Sequence, residues 1–273
     1  MKKLIVLFLT AAMMLLTLGA CAEAETHGNY SDEMKIDKGT VDLDPEAGAD
    51  SVERDGDHAD SPYFSRLDFY NMTSTDTLTI LPKFQTYQQT SESSCGVVSA
   101  LMVLNYYGIL GNYTEESLAM LRNEAGDYKL SGATSLKQAI SIFEHVGGFQ
   151  LESTYDYSDY FDEYGYVANG EIYEVISLEM IQSYLKEGIP VMVAWNDWGG
   201  HWEVVIGYDT MGTETTQDDV LIVADPYDTT DHNQDGYGVY GAERFYYNWT
   251  MYNFFEGSEF AEADLLFLAV KPL

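Results

Sequence analysis

Basic residues are scarce in this 273-residue chain: 13 lysines and arginines stand against 45 aspartates and glutamates, a formal charge of −32. A surface this acidic is repelled by nucleic acid and by anionic lipid headgroups, which removes both as ligand classes. Cysteine is scarcer still, with two in the chain, Cys21 and Cys95. A zinc site at His232 is thereby excluded, since neither a second cysteine nor a pair of histidines accompanies it. Long apolar runs are also missing: the segment Leu4 to Leu18 is too short for a membrane-spanning helix. What is present suffices for one good core, because 46% of the residues are hydrophobic. Tyrosine is abundant at 22, which suits wet, extended binding surfaces.

Lys2 and Lys3 precede the apolar run, and Leu18, Gly19, Ala20 and Cys21 close it. A basic start, a short hydrophobic segment and small residues before a cysteine make residues 1–20 a secretory leader. The tetrad LGAC resembles a bacterial lipobox. That resemblance implies cleavage before Cys21, diacylglycerol on its thiol and anchoring at the outer face of the cytoplasmic membrane, with the membrane touched through the lipid only. The plainer alternative is an ordinary cleaved leader with an incidental cysteine. Loss of the two leader lysines takes the formal charge to 11 − 45 = −34. Residues 21–61 are polar and acidic with no apolar period, and are expected to form a disordered tether. The ordered domain is expected over 62–273. With Cys21 lipidated, no second thiol remains to pair with Cys95, and a lone thiol in an exported protein is either used or deeply buried.

Cys95 stands where a polar approach, Thr90 to Ser94, gives way to an apolar run ending at Gly108. Val97, Val98, Ala100, Leu101, Met102, Val103 and Leu104 place apolar side chains on every face, so the run reads as a buried helix with Gly108 as its stop. At the start of such a helix, unpaired amides and the dipole favour the thiolate. Gln89, six residues earlier, is placed to aim its side-chain amide at the same point as the Cys95 backbone amide, the pair of donors an oxyanion needs. Far downstream, His201 in GGHWEVVIGYD and Asp225 in VADPYD each sit at the edge of an apolar run. These are the parts of a thiol acyl-transfer site: a histidine to take the thiol proton and a carboxylate to fix its tautomer. The bland readings are a small core cysteine and a structural histidine ending a strand.

The stretches QQTSESSCGVVSALMVLNYYG, EMIQSYLKEGIPVMVAWNDWGGHWEVVIGYD and VLIVADPYD, in that order from about Lys83 to Asp228, resemble the C39-like cysteine peptidases of the papain-like clan. The resemblance implies an α+β, papain-like fold with an N-terminal catalytic helix packed on an antiparallel β-sheet. It implies Cys95 as nucleophile, His201 as base, Asp225 as the residue orienting it, and Gln89 as oxyanion donor, with Gln88 the alternative one place away. Many relatives carry Asp before the cysteine and Pro after the glycine, where this chain has Ser94 and Val97. These departures remove no catalytic part, but they leave substrate preference unassigned. A monomeric enzyme is expected, hydrolysing peptide or isopeptide bonds outside the cell without a required cofactor. A transpeptidase or crosslinking transferase using the same thioester, and an inactive peptide-binding module on the same fold, are the alternatives.

Elsewhere the chain predicts strands at Ser65 to Asn71 and Thr77 to Pro82, forming an N-terminal hairpin. Helices are expected from Thr114, over Ser131 to His145, and from Ser177 to Gly188. His145, in a last turn, reads as a C-terminal cap rather than a site residue. Asp156 to Tyr173 reads as a loop rich in tyrosine and acid, with a flap over a peptide groove as the sharper idea. Val191 to Trp195, His201 to Tyr208, Val220 to Ala224 and Leu265 to Val270 read as buried strands, and Trp202 is expected to shield the site from water. Asp231, Asn233, Asp235 and Gly236 form the first half of a calcium loop. The twelfth position, where a closing glutamate belongs, is Ala242, and Glu243 comes one place late. An acidic surface loop is the alternative to a calcium site.

Overall fold

Runs of consecutive apolar residues, rather than alternating ones, dictate a sheet buried on both faces. The computed structural model describes residues 62–63, 65–122, 132–164, 166–197, 199–228, 233–250 and 264–273. The leader, Cys21, the tether, Asp231 and His232 lie outside the described residues. The strands are β1 (Leu78–Ile80), β2 (Phe149–Ser153), β3 (Val191–Trp195), β4 (His201–Asp209), β5 (Val220–Ala224), β6 (Tyr237–Gly241) and β7 (Leu266–Pro272). The helices are α1 (Cys95–Tyr106), α2 (Glu115–Met120), α3 (Leu136–Val146), α4 (Ile172–Val175), α5 (Leu178–Lys186) and α6 (Ala242–Trp249). Among the described residues the seven strands form one antiparallel sheet in the order β2-β7-β3-β4-β5-β6, making an α+β fold. β1 takes the length of β4 edge that β3 leaves open, pairing Ile80 with Gly207 and Leu78 with Asp209. No helix among the described residues is long and apolar enough to cross a membrane.

β4 is the axis of the sheet. Every residue from His201 to Tyr208 is buried, so both faces of the strand are covered. The start of α1 lies on the face of Trp202, with the Ser99 hydroxyl donating to the Trp202 carbonyl at 3.2 Å. The opposite face carries α6, whose Phe245 ring lies 5.1 Å from that of Trp195. α5 is on this face too, with Tyr184 beside Phe267 of β7. α1 is buried without interruption from Cys95 to Leu104, which is what its all-round apolar sequence requires. Each fully buried Val, Leu or Met there is worth about 1.5–3 kcal/mol. Gly108 ends the helix at φ 68°, the left-handed geometry glycine adopts without a Cβ penalty.

Several local expectations are corrected. Ser65 to Asn71 is not a strand: the Asp68 carboxylate captures both the backbone N–H (3.1 Å) and the side-chain amide (2.8 Å) of Asn71, turning the chain. The N-terminal hairpin is therefore absent, and β1 pairs with β4 instead. The third expected helix begins at Leu136, because Ser135 and Gln138 form a reciprocal capping box. His145 stands in the last turn of this helix, and its Nδ1 bonds back to the Ser141 carbonyl one turn earlier at 2.8 Å. The tyrosine-rich stretch is not loop at either end: a 3-10 segment, Thr154–Tyr160, runs into its start and the single turn α4 takes over at its end. The 3-10 segment packs on β2 and β7, the side of the sheet away from Asp225.

Candidate active site

Three elements converge at one end of the sheet. Cys95 is the first residue of α1, His201 the first of β4, and Asp225 follows the last residue of β5. They are 5%, 4% and 4% exposed. His201 Nε2 lies 2.6 Å from Asp225 Oδ1, and the ring stands near enough to the Cys95 sulfur for each to shift the other's proton equilibrium. With Nε2 engaged by Asp225, Nδ1 is the ring nitrogen left to serve Cys95. Asp225 Oδ1 is itself fixed by the Tyr227 backbone N–H at 2.7 Å. Tyr227 stands edge-on to the His201 ring, 6.5 Å between centroids.

The electrostatics favour proton transfer from sulfur to imidazole. Burial pushes the Cys95 thiol up, but the hydrogen bond and charge of His201, with the backbone N–H groups of Trp202 and Gly96, bring it below its ordinary value. Burial pushes His201 down, yet the charge and hydrogen bond of Asp225, reinforced by Cys95, carry it well above its ordinary value. The two shifts have opposite signs and a shared cause, each group stabilising the charged form of the other.

The loop before Cys95 and the loop after Asp225 are tied together. Gln89 N–H donates to the Pro226 carbonyl (2.9 Å), the Thr86 hydroxyl to the Asp235 carbonyl (2.8 Å), and the Tyr237 hydroxyl to the Phe84 carbonyl (2.6 Å). Tyr227 reaches back to the Glu92 carboxylate at 2.9 Å. On the other flank, buried Glu115 accepts from both the backbone N–H and the hydroxyl of Thr90. Gln89 is fully buried, and one of its amide hydrogens goes to the Ser91 carbonyl at 2.7 Å. A primary amide carries two such hydrogens, so a second is left to donate. Gln88 is buried beside it.

Of the proposed calcium ligands, Asn233 and Asp235 are described. Both are buried, as is Gln234, so over its described residues 233–235 the segment does not lie at the surface. Asp235 accepts from the Tyr237 N–H at 3.0 Å, and Asp228 accepts from the Gly236 N–H at 2.8 Å, which shapes the turn back into β6. Trp202 does not cover the site with its indole. The ring is wholly buried, donating from Nε1 to the Thr134 carbonyl at 2.7 Å, and it is the Trp202 backbone N–H that meets the Cys95 sulfur.

One residue escaped the sequence reading. Glu203, two positions beyond His201, is fully buried. Val204 pairs with Ala224, so the next step of the ladder sets Glu203 opposite Asp225. One ionisable atom from each of His201, Glu203 and Asp225 lies within 4.8 Å of the other two. Trp195 Nε1 donates to Glu203 Oε2 at 2.8 Å, and the Tyr240 hydroxyl lies 3.0 Å from Oε1. Burial and the Asp225 charge push the Glu203 carboxyl up to about 8, against the opposing pull of His201. The signal was visible as the one charge inside the run His201–Tyr208.

No curated protein matches the chain. Residues 81–255, well over half of it, match the model of the Peptidase_C39 like family. That span runs from the end of β1 past α6 and contains Gln89, Cys95, His201, Glu203 and Asp225. By this match over well over half of its length, the chain belongs to the Peptidase_C39 like family.

Proposed function

We propose that this protein is a cysteine peptidase, with Cys95 as nucleophile, His201 as acid and base, Asp225 as the carboxylate that orients the ring, and Gln89 as an oxyanion donor. The observation that carries the reading is the His201 ring held by Asp225 Oδ1 at 2.6 Å, beside a buried Cys95 at the start of α1 whose charge acts on the same ring. In this reading α1 is the catalytic helix of a papain-like fold. The thiolate attacks the carbonyl carbon of a peptide or isopeptide bond, and the carbonyl oxygen becomes an oxyanion. The Cys95 backbone N–H and the Gln89 amide receive that charge. His201 then passes its proton to the departing amine, the C–N bond breaks and a thioester remains. Water gives a proton to His201 as its oxygen attacks the thioester, releasing the acid and the thiolate.

The leader and LGAC tetrad support export and lipid anchoring at Cys21, which puts the substrate outside the cell. The experiment is digestion of a mixed peptide library by the full chain, beside Cys95→Ala, with and without an added amine. Cleavage lost in the variant, with water as acceptor, supports the peptidase. Preferential capture by the amine assigns a transferase, and no cleavage above the variant rejects both.

A further inference from the structure

The buried carboxyl of Glu203 has no part in the chemistry above, yet a carboxyl inside a sheet, opposite a second one, is a costly arrangement. Like charges directly across an antiparallel pair repel, and burial magnifies the repulsion. The groups that face Glu203 are His201 on its own strand, Asp225 after β5, Asp197 in the β3–β4 turn, Trp195 on β3 and Tyr240 on β6. From α6 the apolar Phe245 ring packs on Trp195, inclined at 60°. An indole N–H donates and never accepts, so Glu203 Oε2 is an acceptor in every protonation state. The carboxyl proton therefore belongs on Oε1, donated to the Tyr240 oxygen. When that proton leaves, the Tyr240 hydroxyl turns and donates to Oε1 over the same 3.0 Å. Both states keep two hydrogen bonds, so ionisation changes charge without breaking the packing. Tyr240 and Asp225 also line a common cavity of about 390 Å³, which gives the proton an exit.

We propose that Glu203 is a positioning residue for the reaction: as a neutral acid it leaves Asp225 the sole carboxylate acting on His201, and as a carboxylate it adds a second charge that locks the proton on His201. The inference rests on the peptidase reading for its consequence, but not for its first test. With Glu203 ionised, the imidazolium is held more tightly and gives its proton to the leaving amine less readily. Turnover then falls on the alkaline side at the Glu203 titration, which burial and Asp225 bring to about 8.

Glu203→Gln is the informative variant, since an amide reproduces the neutral acid: its oxygen accepts from Trp195 and its N–H donates to Tyr240. The test is the pH dependence of the His201 ring signals by NMR in the full chain, assigned with a His201→Gln variant, for wild type and Glu203→Gln. The expected result is an inflection near pH 8 in wild type, lost in a folded Glu203→Gln protein, with the alkaline fall in turnover lost alongside it. An inflection that persists in the variant, or none in wild type, overturns the proposal. If the NMR result holds but no substrate is turned over by wild type, the coupling of Glu203 to His201 stands and the peptidase reading is what fails.

Discussion

Gly96→Ala tests how tightly the start of α1 is fitted against the rest of the site. Helix propensity alone favours the change, by up to about 1 kcal/mol in a helix interior and less in a first turn. Packing opposes it: a Cβ on Gly96 lies 2.7 Å from Thr134 Cβ, 3.0 Å from its Cγ2 and 3.1 Å from its hydroxyl. Ordinary contact begins near 3.4 Å, so Thr134 or α1 has to shift by well over half an ångström. Thr134 is fully buried, its carbonyl accepts from Trp202 and its hydroxyl accepts from Arg122, so it cannot move alone. Overpacking of this kind costs about 1–3 kcal/mol. The clash wins, and the net loss is about 1–2 kcal/mol, or roughly 2–8 °C in Tm for a domain of this size. Calorimetry of Gly96→Ala, Thr134→Gly and the double variant reads the cycle. The double variant should recover about 1 kcal/mol or more relative to additivity. A more stable Gly96→Ala protein, or strictly additive losses, would refute the contact between α1 and the Thr134 segment.

Asp225→Asn removes the charge that raises His201, so turnover on any substrate found should drop on the order of 10³–10⁴-fold while the melt changes little; a loss below tenfold contradicts the orienting role. Glu115→Ala leaves both the backbone N–H and the hydroxyl of Thr90 without their acceptor, at a cost of about 1–3 kcal/mol by chemical denaturation, and it loosens the loop that carries Gln89. Unchanged stability would mean that this pair is not holding the loop. Glu203→Gln should stabilise the protein at neutral pH. The unfolded carboxyl ionises near 4.5 and the folded one near 8, so wild-type stability from this group falls as pH rises between those values, and the amide does not titrate. The gain grows to a few kcal/mol at the top of that window; denaturation midpoints that differ equally at pH 4 and 8 would contradict the shift.

What the sequence made legible follows from which signals are local. Consecutive apolar residues announced β3, β4, β5 and α1 nearly to the residue, because burial on all sides leaves no other pattern. His201 and Asp225 were legible because each sits where such a run meets a polar segment. Glu203 was not, since an acid inside an apolar run has meaning only once β5 sets Asp225 across from it. β6 was hidden by its glycines. Gly238 is needed there because a Cβ would stand 2.9 Å from Val223, so a poor strand former is required by a neighbour distant in sequence. α6 was overlooked although Ala242, Phe245 and Trp249 give it a buried helical stripe. Its eight residues are few and its remaining positions polar, so tertiary packing rather than propensity supports it.

The central claim is that Cys95 and His201 form a thiolate–imidazolium pair. The most direct measurement is the pH dependence of Cys95 alkylation by iodoacetamide in a Cys21→Ser background, beside His201→Ala and the unfolded chain. The account predicts rapid modification persisting well below the ordinary thiol range, because His201 and two backbone N–H groups outweigh burial. In His201→Ala the fast phase should vanish and the thiol should titrate above the unfolded chain, since burial remains and only the smaller compensation of the Trp202 and Gly96 N–H groups is left. A wild-type Cys95 that titrates with the unfolded control, near 8.5, would contradict the pair and with it the peptidase mechanism.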